Sequence, residues 1–156
     1  MASKFETFAA LHVPGDPVIL YNIWDVGSAR AVVAAGARAL ATGSHPVADA
    51  NGWADGQQVP LDFALANAKR IIEAVELPVT VDFESAYSDD AEEGAANVAR
   101  LKATGAVGCN FEDQVIGGGA PPAGEPSEPH RCDPPRGRRR LLRQRPHGPV
   151  PEDPDL

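Results

Sequence analysis

The chain has 156 residues, 43% of them hydrophobic, and a formal net charge of −8. This length and apolar content suit a single domain with a buried core, whereas the negative charge disfavours nucleic acids and anionic membrane surfaces as partners. No apolar run approaches the roughly 20 residues of a membrane span, and the N-terminus lacks a secretion signal core, so we expect a cytoplasmic protein.

Two parts of the chain differ in composition. Residues 1–114 contain five of the 15 prolines, all nine aromatic residues, and 7 basic against 16 acidic side chains. Residues 115–156 contain ten prolines, no aromatic residue, and 7 basic against 6 acidic side chains. The first part therefore has the composition of a folded domain, and the second part does not.

The hydrophobic pattern of the first part predicts four strands that alternate with helices. The predicted strands are short apolar runs at Val18–Tyr21, Ala39–Ala41, Val79–Val81 and Val107–Phe111. The predicted helices cover residues 3–12, Ala29–Ala35 before Gly36, Leu61–Val75, and 91–104 before Gly105, with a loop at Thr42–Pro46. This alternation predicts an α/β fold with a parallel sheet, either an open doubly wound sheet or a (β/α)₈ barrel.

Carboxylates follow two of the predicted strands. Asp82 and Glu84 end the third strand, and Glu112 follows the fourth. Residues two apart on a strand point to the same side, and parallel strands place their ligand sites at their carboxyl ends. Two like charges that share one space repel unless a cation lies between them, and Mg²⁺ prefers oxygen ligands. The pattern therefore predicts a magnesium site at this edge. The chain has no glycine fingerprint of a dinucleotide or P-loop site.

Five segments, in this order and spacing, resemble the isocitrate lyase/phosphoenolpyruvate mutase superfamily. They are residues 21–30 (YNIWDVGSAR), 39–44 (ALATGS), 52–56 (GWADG), 78–87 (PVTVDFESAY) and 105–114 (GAVGCNFEDQ). The resemblance implies that residues 1–118 are the first four β/α units of a (β/α)₈ TIM barrel. It also implies a small 2-oxo acid or phosphonate substrate and lyase, mutase or hydrolase chemistry beside a carbonyl. Members of the family usually form homo-oligomers.

The resemblance also implies roles for individual residues. Asp82, Glu84 and Glu112 would surround Mg²⁺, and Asp55 would be a catalytic residue, an acidic side chain near the substrate. The loop formed by Thr42, Gly43, Ser44 and His45 would bind the substrate carboxylate. The lyases of the family carry a lysine, cysteine and histidine loop after the fourth strand, but here Gln114 to Gly119 follow Asp113. The reaction itself therefore stays open.

Each of these residues also has a simpler interpretation. Asp82 and Glu84 could be solvent-exposed charges at a strand end, and Glu112 could pair with a lysine or arginine. Asp55 lies in a glycine-rich stretch, where aspartate is common in turns, and His45 before a proline could be structural. Cys109 inside a strand is interpreted as a small core residue. A non-catalytic binding module that keeps only the fold pattern is the alternative function.

The composition of residues 119–156 is typical of a disordered segment. A frameshift after about Gly119 is a second explanation. In a shifted frame, each new codon consists of the last two bases of one codon and the first base of the next. Residues 129–135 then permit Arg-Ile-Ala-Ala-Ile-Arg, and residues 143–156 permit a strand containing Asn-Ala-Arg-Thr-Asp. Both are motifs that the resemblance leads us to expect next. With half of the barrel replaced, we expect the chain as written to be inactive.

Overall fold

The computed structural model describes residues 2–112, which form a four-stranded parallel sheet with strand order β1-β2-β3-β4. The strands are β1 (Asn22–Ile23), β2 (Leu40–Thr42), β3 (Val79–Asp82) and β4 (Gly108–Asn110). The helices are α1 (Lys4–Ala10), α2 (Val26–Ala34), α3 (Ser44–Ala50), α4 (Leu61–Ala74) and α5 (Ala91–Ala103). The predicted α/β class and the parallel sheet are confirmed.

Two local predictions are wrong. The strand predicted at Val18–Tyr21 is not formed, and the side chains of Ile19 and Tyr21 are 69% and 61% exposed. Pairing sets the strand position, because β2 pairs with Asn22 and Ile23. The loop predicted at Thr42–Pro46 is also wrong from Ser44 onward, where α3 begins. Its proline lies in the first helical turn, where a missing N–H removes no hydrogen bond.

The core lies between one face of the sheet and the helices α2, α4 and α5. The amphipathic pattern predicted for α4 is confirmed, because its apolar side chains are buried in this core. The cluster contains Ile23, Ala29, Leu40, Leu65, Ala68, Ile71, Ile72, Val75, Val79, Val81, Phe83, Ala86 and Leu101. Alternation along the strands sends the other side chains, such as Thr80 and Asp82, to the opposite face of the sheet.

Helix α1 packs at the amino end of the sheet. Its Phe8 forms a second buried cluster with Ala39 and Val107, the residues just before β2 and β4. The Lys4 Nζ donates a hydrogen bond to the Val75 carbonyl at the end of α4, at 2.7 Å, a favourable place for a cation. The helix therefore covers the amino ends of the strands and leaves the carboxyl ends accessible.

Within residues 2–112, no helix combines the length and apolarity needed to cross a membrane. The predicted domain boundary after residue 118 and the segment 119–156, for which disorder or a frameshift is predicted, lie outside the described residues.

The buried position of Ile71 gives a test of the core. Ile71 is fully buried in α4, so Ile71→Ala should lower the free energy of unfolding by about 2–5 kcal/mol, through lost burial and a cavity. Urea denaturation followed by circular dichroism measures this. Ile19→Ala, at the exposed residue described above, is the matched control and should change stability by less than about 0.5 kcal/mol. Equal effects of the two substitutions would contradict this packing.

Candidate functional site

Asp82, the last residue of β3, forms hydrogen bonds with both neighbouring strands and with the start of α3. Its Oδ2 accepts from the Ser44 backbone N–H at 3.0 Å and from Ser44 Oγ at 2.9 Å. Its Oδ1 accepts from Asn110 Nδ2 at 3.0 Å, and its own N–H donates to Thr42 Oγ1 at 3.0 Å. The carboxylate is therefore fixed at the carboxyl edge of the sheet. These contacts argue against a freely solvated strand-end charge.

Glu84 lies two residues beyond Asp82 and is only 7% exposed. Burial raises the pKa of its carboxyl group, and a hydrogen bond from the Gln57 backbone N–H opposes that rise. The negative charges of neighbouring carboxylates raise the pKa further, and these are Asp82, Asp55 and Glu112. The other three predicted acidic residues therefore all lie close enough to Glu84 to act on it electrostatically.

Backbone pairing brings Glu112 to this group. The N–H of Glu112 donates a hydrogen bond of 2.6 Å to the carbonyl oxygen of Glu84, which extends the β3–β4 pairing beyond the strands. The residue is exposed. The fourth strand therefore places its terminal carboxylate next to the segment that carries Glu84, as parallel pairing requires.

His45 pairs with Asp55, the acidic residue of the connection between α3 and α4. Its Nδ1 lies 3.1 Å from Asp55 Oδ2, and both side chains are largely exposed. The His45 hydrogen bond, assisted by the Gly56 backbone N–H, lowers the pKa of Asp55. Asp55 is therefore ionised at neutral pH and serves as the acceptor that orients the imidazole.

The remaining residues of the predicted substrate loop line the start of α3. Thr42 is buried and accepts the hydrogen bond from Asp82, and Ser44 donates two hydrogen bonds to the same residue. Gly43 is closely surrounded, since an added Cβ would lie 2.8 Å from Asn22 Nδ2 and 2.9 Å from Pro46 Cγ. The loop thus supports Asp82 and has no room for a side chain at position 43.

Three residues of the site were missed by the sequence analysis. They are Gln57, which contacts the β3–α5 loop, Tyr87, which lines the same cavity as Asp82 and Glu84, and Asn110, which binds Asp82. Burial, followed by the charges of Glu84 and Asp82, raises the pKa of Tyr87. A signal existed only for Asn110, the last residue of β4, which is two residues before Glu112. The presence of Gln57 and Tyr87 in the site depends on how two loops pack together, and no local sequence pattern indicates it.

The carboxylates of the site are oxygen donors, the ligand type that a magnesium ion prefers. Among residues 2–112, no three His, Cys, Asp or Glu side chains form a ready-made ligand cluster. Magnesium is commonly held by one or two carboxylates, with water and substrate oxygens completing the shell. The buried carboxylate of Glu84 beside Asp82 supplies such a pair, and none of the ion pairs within residues 2–112 involves either of them. The residues present therefore fit the ion.

Comparison with known proteins gives concordant matches. The model of the phosphoenolpyruvate phosphomutase family matches residues 8–131. An uncharacterized protein of Mycobacterium tuberculosis is 38% identical over 107 residues, covering 69% of this chain and 40% of the relative. A crystal structure of a phosphonomutase candidate from Burkholderia cenocepacia J2315 superposes with a TM-score of 0.69 and 50% identity, covering 71% of this chain and 44% of that one.

A structure of 2,3-dimethylmalate lyase, described as a member of the PEP mutase/isocitrate lyase superfamily, superposes with a TM-score of 0.64. It shares 26% identity and covers 74% of this chain and 39% of that one. The chain therefore spans about two fifths of the length of the relatives that it matches.

The tight surroundings of Gly43 predict that a methyl group is not tolerated there. Gly43→Ala should lower the free energy of unfolding by about 1–3 kcal/mol, since Asn22 and Pro46 must move. Gly27→Ala is the matched control, because position 27 lies in α2 and its added Cβ would meet its nearest atom, Asp25 Oδ1, at 3.4 Å. Alanine is the better helix former, so this control should be neutral or slightly stabilising. A neutral Gly43→Ala in urea denaturation would show that the site has more room than described.

The raised pKa of Glu84 predicts how stability depends on pH. Because the folded chain holds this proton more tightly than the unfolded chain, stability should fall as pH rises from about 4.3, the usual glutamate value, through the raised folded value. Glu84→Gln removes that loss, so the urea midpoint at pH 7, measured with EDTA, should exceed that of the wild type. The difference should shrink at pH 4.

Glu76→Gln, at an exposed glutamate, is the control for Glu84→Gln and should shift neither midpoint. A lower midpoint for Glu84→Gln than for the wild type at pH 7 would mean that the ionised carboxylate stabilises the fold.

Proposed function

Because the chain belongs to the phosphoenolpyruvate mutase/isocitrate lyase superfamily, we propose that its site binds Mg²⁺ together with a small 2-oxo acid or a related phosphonate. The chemistry that the site serves is the cleavage or formation of a C–C or P–C bond beside a carbonyl. The family's general kind of reaction is supported by the phosphoenolpyruvate phosphomutase model and by the likeness to 2,3-dimethylmalate lyase. The substrate of this chain is part of the proposal.

The observation that carries the proposal is the gathering of carboxylates at the end of β3. A buried Glu84 with a raised pKa, close to the charges of Asp82, Asp55 and Glu112, is costly for a stable fold. Such a cost is common at functional sites, where a ligand compensates for it. A divalent cation is the simplest compensating ligand for a set of oxygen donors.

The chain's own residues have separable roles in this proposal. Asp82 and Glu84 would hold the ion, with Glu112 completing the shell directly or through water. When bound, magnesium would withdraw charge from a chelated 2-oxo acid and stabilise the enolate as it develops. Ser44 and Asn110 keep the Asp82 carboxylate in place through their hydrogen bonds.

The residues proposed to bind the substrate lie where β2 ends and α3 begins. Thr42, Gly43, Ser44 and His45 form the segment that would contact the substrate carboxylate. The Nδ1 of His45 is used by Asp55, so its Nε2 is the ring nitrogen that would contact the substrate. Asp55 acts in this proposal as an ionised catalytic carboxylate, which orients the imidazole of His45 near the substrate.

Binding and turnover make different demands on the chain. The metal carboxylates are supplied by the end of β3 and by the residues that follow β3 and β4, but water exclusion and exact substrate placement need an enclosed site. Asn22 and Asn110 on the open face of the sheet are exposed. We therefore expect the 156-residue chain to bind Mg²⁺ and a 2-oxo acid without measurable turnover.

Isothermal titration calorimetry of the purified 156-residue chain tests this proposal. Titration with MgCl₂, alone and with oxaloacetate or phosphonopyruvate, should show binding that the second ligand strengthens. Asp82→Asn and Glu84→Gln should each weaken magnesium binding by at least about tenfold, by removing an anionic ligand. Glu76→Gln also removes one negative charge, but at an exposed position, and it should leave the affinity unchanged.

The possible outcomes separate the two classes of function. Binding without product formation supports a site that this chain keeps without the reaction, as in a non-catalytic binding module. Product formation would overturn the expected inactivity. The metal proposal fails if the wild type binds no magnesium, or if Glu76→Gln weakens binding as much as Asp82→Asn does.

A further inference from the structure

We propose that Gln57 is a positioning residue that clamps the segment Glu84–Ser85 and thereby sets the direction of the Glu84 carboxylate. Its importance for a metal ion rests on the proposed function, whereas its clamping of the segment does not. Gln57 lies in the connection between α3 and α4, far along the chain from β3.

Gln57 contacts this segment through both its side chain and its backbone. Its Oε1 accepts a hydrogen bond from the Ser85 backbone N–H at 3.1 Å and another from Ser85 Oγ at 2.7 Å. Its own N–H lies near the Glu84 carboxylate and lowers the pKa of that group, against the larger effect of burial. Gln57 therefore fixes the backbone directly after Glu84 through two hydrogen bonds.

Both sides of this contact have unusual backbone conformations. Gln57 has a φ of 60°, and three residues of the facing loop are also in the left-handed region: Glu84 (51°), Ala86 (61°) and Tyr87 (58°). Such conformations cost free energy in residues with a Cβ, so they persist only where surrounding contacts hold them. The two hydrogen bonds to Gln57 Oε1 are such contacts for the segment that carries Glu84.

The connection that carries Gln57 is itself anchored nearby. Asp55, two residues earlier, binds His45 at 3.1 Å, so Gln57 is not at the tip of a freely moving loop. The adjacent Gln58 differs: it is exposed, and within the described part of the chain its Nε2 donates to the Gly56 carbonyl of the same loop. These two neighbouring glutamines provide a variant and a matched control of the same residue type.

The experiment uses the full 156-residue chain with the variants Gln57→Ala, Gln57→Gly and Gln58→Ala. Both position 57 variants remove Oε1 but keep the backbone N–H, and glycine also tolerates the positive φ. The first measurement, without metal, is hydrogen exchange of the Ser85 amide by NMR. The second is magnesium affinity by calorimetry.

In both position 57 variants, Ser85 exchange should accelerate by about tenfold, the effect of losing one hydrogen bond of typical strength. Magnesium affinity should fall by about tenfold or more, as is usual when a group that orients a metal ligand is removed. Gln58→Ala should change neither value by more than about twofold. If Gln57→Ala does not fold, Gln57→Gly decides the result.

Unchanged Ser85 exchange in Gln57→Gly would overturn the clamp, whatever the metal does. Faster exchange with unchanged magnesium affinity would overturn the positioning of Glu84. If the wild type binds no magnesium, the proposed function fails together with the metal role of Gln57, and Ser85 exchange still decides the clamp. A purely structural role would lower the urea midpoint and leave the magnesium affinity of the folded variant at the wild-type value.

Discussion

Asp82 ties three strands of the sheet together, and the geometry of the site depends on it. Its backbone N–H reaches Thr42 at the end of β2, and its carboxylate accepts hydrogen bonds from Ser44 and from Asn110 of β4. Parallel pairing alone would align the strand ends without fixing any side chain. These hydrogen bonds hold a charged group at the edge of the sheet, and the α3 segment and the β4 end are held with it.

The negative charges around Asp82 lower the stability of the folded chain. A buried Glu84 beside Asp82, Asp55 and Glu112 raises the free energy of the folded chain when all four are ionised. The rest of the fold compensates through ordinary means, above all the apolar cluster between the sheet and α4. The positive φ values at Glu84, Ala86 and Tyr87 belong to the same local cost. Charge and backbone strain thus coincide in one loop, a combination that is common at functional sites.

The described residues correspond to the first four β/α units of a TIM barrel of the phosphoenolpyruvate mutase/isocitrate lyase superfamily. The order of the strands follows the order of the chain, and all pairs are parallel, which is how such barrels begin. Helix α1 covers the amino ends of the strands, and the acidic residues lie at the opposite ends. The division of such folds into a stabilising end and a ligand-binding end is therefore present within residues 2–112.

The sequence by itself determined the parallel α/β class, the amphipathic face of α4 and the gathering of acids at the ends of β3 and β4. These follow from local periodicity and from the rule that parallel strands end at one edge. It could not place β1, because Val18–Tyr21 is as apolar as a buried strand and only pairing with β2 selects Asn22 and Ile23. It also could not reveal the His45–Asp55 pair or the contact of Gln57 with Ser85. Those contacts join residues 10 and 28 positions apart through loops whose paths no local pattern encodes, so only the tertiary structure decided them.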